Sequence, residues 1–470
     1  MSKLIPPIKW LPAKINTEKV HQIFKKAREE GKWVIQLVVG TKPDFYKQYA
    51  LMYWADKFDI PLILVNTGQH YDYSLGYGLK EFNMKPVIDL QIRGNLLDKT
   101  SELIYKMGAL AKWYRKISKT IVLPIPHGDT ISAALTAIAW FLSVRQGVGQ
   151  NEAGLRSMSP NIIRNLKPPF TSEFCESFIQ QQWNGQWFII RDEPYPEQFD
   201  TFVCGAGSSY FFAPHEINVK HLKREGYAED RIIHVGNSIV DTIKLHKPPP
   251  QSIFDLYPIL DDYNNWIRVD IHRRGNLGRY RFVNLVKTIS KLLEAEIPVI
   301  WIEMNATSEA LNYYGFKKRV QGWIKKYKNF LFTPLWKSYG NVLEFWKSGK
   351  CLMEFTDSGS IQEELNEISD TICCTMRFST DRPESVFDAH SNVLIPPFSD
   401  EFMVNLINYI YNSDSLQKGM KNSKKIYGED VGKKIFQYLI GEMNSKANPF
   451  RWNHQTLFKL PKEEEDFDYL

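Results

Sequence analysis

Asp129 and Glu152 stand in two polar turns, His127-Gly128-Asp129-Thr130 and Asn151-Glu152-Ala153-Gly154, about one parallel-strand unit apart. An apolar run stops at Pro126, just before the first of them. Carboxylates at the ends of successive strands of an open parallel sheet point into the crevice where such folds bind ligands. One alone reads as a helix N-cap. Two in consecutive units, with His127 and Arg156 beside them, suit proton transfer to and from a bound substrate. A second group, His272-Arg273-Arg274 with the turn Gly275–Gly278, follows the apolar run Trp266–Ile271. A solitary histidine there is usually structural, but next to two guanidinium forks it reads as a donor to a pyrophosphate. Asp357-Ser358-Gly359-Ser360 follows the run Cys351–Phe355 and opens a helical pattern. Such small residues let backbone N–H groups reach a phosphate, although a plain strand-to-helix turn looks the same. Gly40-Thr41-Lys42-Pro43 is a further strand-end turn, with Lys42 and Lys47 in reach; Lys47 by itself reads equally as a helix-surface lysine.

The elements that must position these groups are short β-branched runs separated by helical patterns. Candidate strands are Trp33–Val39, Pro61–Asn66, Thr120–Ile125 and Arg231–Val235, then Trp266–Ile271, Pro298–Met304, Phe330–Thr333, Cys351–Phe355, Asp370–Met376 and Asn392–Ile395. Runs of 4–8 residues alternating with helices indicate parallel βαβ units, and two such series predict two doubly wound α/β domains. The expected division is an N-terminal extension (1–30), a first domain (31–228) with an insertion at about 158–190, a second domain (229–430), and a C-terminal helix and tail (431–470) packing back on the first domain. Gly226–Lys247 and Pro248-Pro249-Pro250 form the expected joint. The acidic run Glu463–Asp466 reads as a solvated tail.

A formal charge of +6 over 470 residues is too mild for a nucleic-acid binder. Five cysteines without C-x-x-C spacing argue against a disulfide framework and for buried thiols. With no secretory leader and no run of about 18 apolar residues, the expected location is the cytoplasm.

Read in order, the polar turns resemble the UDP-N-acetylglucosamine 2-epimerase family, most closely its non-hydrolysing branch. The matching pieces are GTKPDFYK (40–47), NTGQHYD (66–72), HGDT (127–130), EAGLRS (152–157), PYPEQ (194–198), APHE (213–216), GNSIVD (236–241), IHRRGNLG (271–278), DSGSIQEE (357–364) and STDRPE (379–384). The resemblance spans about residues 33–435. It implies two Rossmann-like domains facing a cleft, as in GT-B glycosyltransferases, often as a homodimer, with a UDP-sugar as substrate and neither metal nor cofactor. UDP is eliminated across C1–C2 and re-added with C2 inverted. By resemblance Asp129, Glu152, Glu197 and His272 are the acid/base set. Lys42, Lys47, Arg156, Asn237, Arg273, Ser358, Gly359, Ser360, Arg377 and Arg382 fall on substrate positions, and Glu364 on the ribose-binding carboxylate. Gln69, Arg93 and Arg273 fall on an activator site for a second substrate molecule, where Asp72 replaces an amide.

The chain departs from the family pattern at several motif positions, more on the sugar side than on the nucleotide side. Lys42 replaces an arginine and loses its fork. The family's P-E-E-x-N-R is Pro196-Glu197-Gln198-Phe199-Asp200-Thr201, and its S-G-G turn is Ser358-Gly359-Ser360. The expected activity is C2 epimerisation of a UDP-2-acetamido sugar, most simply UDP-GlcNAc to UDP-ManNAc. The alternatives are a hydrolysing epimerase, a GT-B glycosyltransferase and a non-catalytic nucleotide-sugar-binding protein.

Overall fold

Val34–Val39 is buried at every position, as is Trp266–Asp270, the pattern of strands covered on both faces. Each lies inside the sheet of one of two units. The computed structural model describes residues 13–69 and 77–450. One unit comprises 1–155, 199–242 and 428–470; the other comprises 156–198 and 243–427.

In the first unit, β1 (Lys14–Ile15), β2 (Val34–Val39), β3 (Leu62–Asn66), β4 (Ile88–Asp89) and β5 (Val122–Ile125) form a sheet in the order β1-β4-β3-β2-β5. All pairs are parallel except β1 with β4. A bridge between His127 and Asn151, with Gly128 N donating to Asn151 O at 2.7 Å, joins the end of β5 to β6 (Val148–Asn151). The chain then passes into the second unit, where β7 (Met158–Pro160) and β8 (Trp187–Ile189) pair antiparallel. It returns with β9 (Ser208–Ala213) and β10 (Ile232–His234), which continue from β6 in parallel. Strand order reverses between β2 and β5, so the loops after those two strands flank the switch point where such sheets bind ligands.

The second unit repeats the plan. β11 (Trp266–Asp270), β12 (Val299–Glu303), β13 (Phe330–Pro334), β14 (Cys351–Thr356), β15 (Ile372–Thr375) and β16 (Asn392–Leu394) lie parallel in the order β13-β12-β11-β14-β15-β16. This is the Rossmann order, with its switch point between β11 and β14. Phe282, Ile289, Phe402 and Ile407 of the covering helices pack with Val269, Phe355 and Cys374 in its core.

Three expectations change. Within the expected extension 1–30, the described residues 13–30 belong to the fold: β1 pairs with β4, and Val20, Ile23, Phe24 and Ala27 of the helix Thr17–Glu30 join the core of the first unit. The segment expected as an insertion of the first domain belongs to the second unit. There Phe178 packs edge-on against Phe402 with ring centroids 5.2 Å apart, and Met158 bridges Thr380. Gln182 donates to Leu394 O and accepts from Leu394 N. The division after residue 228 also moves, because β10 pairs with β9 of the first unit. Strands β6 and β9 escaped the sequence reading, β6 because Val148-Gly149-Gln150-Asn151 lacks an apolar run. The helix Val431–Asn444 is part of the first unit; Asp241 accepts from Val431 N and Gly432 N, each at 3.0 Å. The acidic run 463–466 lies outside the described residues.

Candidate active site

The loops after β2, β5 and β6 build a polar cluster in the first unit. After β2 the chain turns at Gly40 into the helix Lys42–Lys57 with Thr41 as N-cap. Asp44 closes this turn: its Oδ2 accepts from Gly40 N at 3.1 Å and Thr41 N at 2.8 Å, as in a capping box. One turn on, Lys47 points inward. It is 0% exposed and donates to Glu152 Oε1. The surface-lysine alternative is thereby excluded, and Glu152 is itself 2% exposed.

Glu152 also accepts from Asn237 Nδ2 at 2.7 Å on Oε1 and from His127 Nε2 at 2.7 Å on Oε2. His127 Nδ1 lies 3.0 Å from Asp44 Oδ1. Burial works against a charged ring, but the hydrogen bonds to Asp44 and Glu152 outweigh it and raise the His127 pKa to about 9. Glu152 itself has φ +66, a conformation uncommon for a non-glycine residue and recurrent at functional sites.

Asp129 does not cap the helix Ile131–Val144. Thr130 does, accepting from Ala133 N at 3.2 Å, so the N-cap alternative for Asp129 falls away. Asp200 faces it from the helix Glu197–Ala206: burial, then the Asp129 charge, raises the Asp200 pKa to about 8. Lys42 lies 5.6 Å over the Tyr46 ring. Gln69 accepts from Ser132 Oγ at 2.7 Å, and Arg93 is exposed, donating to Ile92 O. Arg273, the third activator-site position, belongs to the second unit. Asp72 lies outside the described residues.

The second unit gathers its polar groups at its own switch point. His272 follows β11, and its Nδ1 sits 3.0 Å from Asp270 Oδ1 and 2.9 Å from Asp357 Oδ1. Burial opposes the imidazolium, yet the charges of Asp357 and Asp270 raise its pKa to about 10. Asp357, held low to about 2, also accepts from His272 N, Arg273 N and Asn276 Nδ2 at 3.0–3.1 Å. Asp270, His272 and Asp357 bring ligand-type atoms within 4.8 Å of one another. The Asp357 oxygens, however, are turned to N–H donors, the arrangement of a clamp on the imidazole.

The turn after β14 carries Ser358 and Gly359 into the helix Ser360–Ile368. Ser360, where the family has glycine, donates to Glu364 Oε1 at 2.6 Å, and Tyr339 Oη donates to Glu364 Oε2 at 2.8 Å. Arg377 donates to Asp357 O and Asp381 Oδ1, and Arg382 to Glu363 and Asp381. Arg382 is thus ion-paired with Glu363 and Asp381 and 3% exposed. Arg156 is 2% exposed and Glu197 pairs with Arg273, all within this unit.

Asn237, which by resemblance falls on a substrate position, holds Glu152 through its amide. His127, Asp44, Asp200, Asp270, Asp357 and Asp381 were not among the candidate site residues. His127 and Asp357 stood in polar turns the sequence had marked, and Asp44 carried the Thr-x-x-Asp cap signal.

Fold and clusters together define a GT-B-like α/β protein of two Rossmann-like units, with an acid/base cluster after β5 and β6 and an arginine-rich cluster after β11 and β14. The family model described as UDP-N-acetylglucosamine 2-epimerase matches residues 191–440, more than half of the chain, and the chain belongs to that family. It is similar to the UDP-N-acetylglucosamine 2-epimerases of Methanocaldococcus jannaschii (26% identical, covering 77% of this chain and 88% of that protein) and Bacillus subtilis (25%, covering 86% and 94%). Among solved structures, the UDP-GlcNAc 2-epimerase of Neisseria meningitidis bound to UDP-GlcNAc shares the fold with a TM-score of 0.68 at 22% identity, covering 87% of this chain and 100% of that one.

Proposed function

We propose that this protein epimerises a UDP-2-acetamido sugar at C2, UDP-GlcNAc to UDP-ManNAc in the simplest case. The carrying observation is the cluster in which Asp129 and a buried, ion-paired Glu152 follow adjacent strands of the first unit, in a chain of the epimerase family. A carboxylate takes the C2 proton, the C1–O bond breaks and UDP leaves, forming a glycal. UDP then adds back at C1 while a second acid protonates C2 on the opposite face. Asp129, Glu152 and Glu197 are the proposed proton carriers. His272, Arg273 and the Ser358-Gly359-Ser360 turn are proposed to stabilise the pyrophosphate, aided by Lys42, Lys47, Arg156, Arg377 and Arg382, with Glu364 on the ribose. A charged imidazole and guanidinium forks suit an anion that gains charge as it leaves.

NMR of UDP-GlcNAc incubated with the protein in D₂O tests the reading. Deuterium at C2 with UDP-ManNAc formed is the expected result. Free N-acetylmannosamine with UDP indicates hydrolysis from the same intermediate, and no exchange at C2 refutes the epimerase chemistry. A homodimer is proposed with it, supported by exposed Leu97 and Tyr105 on the helix Leu96–Ile117 and Leu142 on the helix Ile131–Val144; light scattering tests it. A cytoplasmic location is supported by five buried, unpaired cysteines. Among the described residues no helix is long and apolar enough to cross a membrane.

A further inference from the structure

We infer that His127, held by Asp44, is a positioning residue that keeps Glu152 a carboxylate. The inference rests on the epimerase reading above for its catalytic consequence, but its charge state stands on geometry alone. Both ring nitrogens face carboxylate oxygens, Nδ1 toward Asp44 at 3.0 Å and Nε2 toward Glu152 at 2.7 Å. A neutral imidazole has one N–H and would turn a lone pair on one of those oxygens. The remaining Asp44 oxygen is occupied by two backbone N–H groups, so Asp44 is an acceptor in need of a donor. Glu152 Oε1 already accepts from Lys47 and Asn237, donors that suit an ionised carboxylate; the ring therefore carries both protons, and its raised pKa agrees.

The charged groups facing His127 are Asp44 and Lys47 from the helix Lys42–Lys57 and Glu152 from the turn after β6. Asp44, Glu152, Lys47 and His127 are all at most 2% exposed. Without His127, Asp44 and Glu152 lose the cation they share away from water, which leaves an excess of negative charge at their oxygens. A buried, underpaired carboxylate relieves that excess by taking a proton, and a protonated Glu152 cannot act as a base. The seat is rigid as well: a Cβ on Gly128, which has φ +61, would lie 3.0 Å from Glu152 Oε2.

The test combines ¹⁵N-histidine NMR with pH–rate profiles. In the wild type at pH 7.5, a doubly protonated ring that vanishes in His127→Gln is expected, titrating near 9. His127→Gln should lower kcat at least ~10-fold with KM changed less than ~3-fold, and should move the acidic limb of the profile upward by about one pH unit. Asp44→Asn keeps the cap's shape and should move the ring titration downward, a readout that a purely structural role would leave in place. A neutral ring at pH 7.5, an unmoved ring titration in Asp44→Asn, or a wild-type kcat and acidic limb in His127→Gln would each overturn the inference. If the wild type neither epimerises nor exchanges C2, the reaction reading fails, and the ring titrations still decide the charge state. If His127→Gln does not fold, the titration of Asp44→Asn decides it.

Discussion

Arg273 and Glu197 form an ion pair within the second unit. The arginine follows β11 at the switch point, and the glutamate starts the helix Glu197–Ala206. Both keep about a fifth of their side chains exposed. Two residues singled out for different jobs, an anion contact and a proton carrier, thus pair with one another, and under the proposed function an incoming phosphate competes with Glu197 for the guanidinium.

Removing that competitor should show in binding. Glu197→Gln is expected to tighten UDP roughly 3–10-fold while slowing turnover, whereas Arg273→Ala weakens UDP by a similar factor, the scale of one net hydrogen bond at a partly exposed site. Calorimetric titration with UDP beside initial rates checks this. Weaker UDP binding in Glu197→Gln would show that the pair supports the anion site instead of occupying it.

Asp129→Asn should lower turnover at least ~10²-fold, the usual effect of losing a general acid or base, and His272→Ala by about as much, through loss of a charged donor to the leaving pyrophosphate. Near wild-type rates in either variant, measured with saturating UDP-GlcNAc, would remove that residue from its proposed role.

Asp200 stands where the family has asparagine. Its folded pKa of about 8 lies above the ~3.9 of an unfolded aspartate, so between these values the folded state holds the extra proton. Stability from this group is complete below about pH 4 and is lost as pH rises toward 8. Asp200→Asn escapes the loss. Its Tm should exceed wild type by roughly 2–5 °C at pH 8 and by less at pH 5. An equal Tm difference at both pH values would mean that Asp200 is not the titrating group.

Gly40 precedes the Asp44 cap, and a Cβ there would overlap Thr67 Oγ1 and lie 3.0 Å from Ser132 Oγ. Gly40→Ala should destabilise the protein by about 1–3 kcal/mol, as overpacking does, read from urea unfolding. An unchanged midpoint would show that this turn has room to yield.

Much of this molecule is written locally. The runs at 34–39, 266–270 and 351–356 mark central strands because buried parallel strands need apolar side chains on both faces. The turns at 127–130, 271–278 and 357–360 follow such runs, so their polar groups had to lie at strand ends. The polar strand Val148–Asn151 escaped because it sits under other elements for reasons its own composition does not display.

Sequence alone thus marked the alternation of strands and helices, the strand-end placement of Asp129, His272 and Ser358, the polar turn that holds Glu152, and the family resemblance. Tertiary structure decided the partners. Lys47 meets Glu152 across 105 residues, His127 meets Asp44 across 83, and Asn237 meets Glu152 across 85. It also assigned residues 156–198 to the second unit. Periodicity and turn chemistry act over a few residues, whereas the charge state of a buried group depends on what packs against it from elsewhere in the chain.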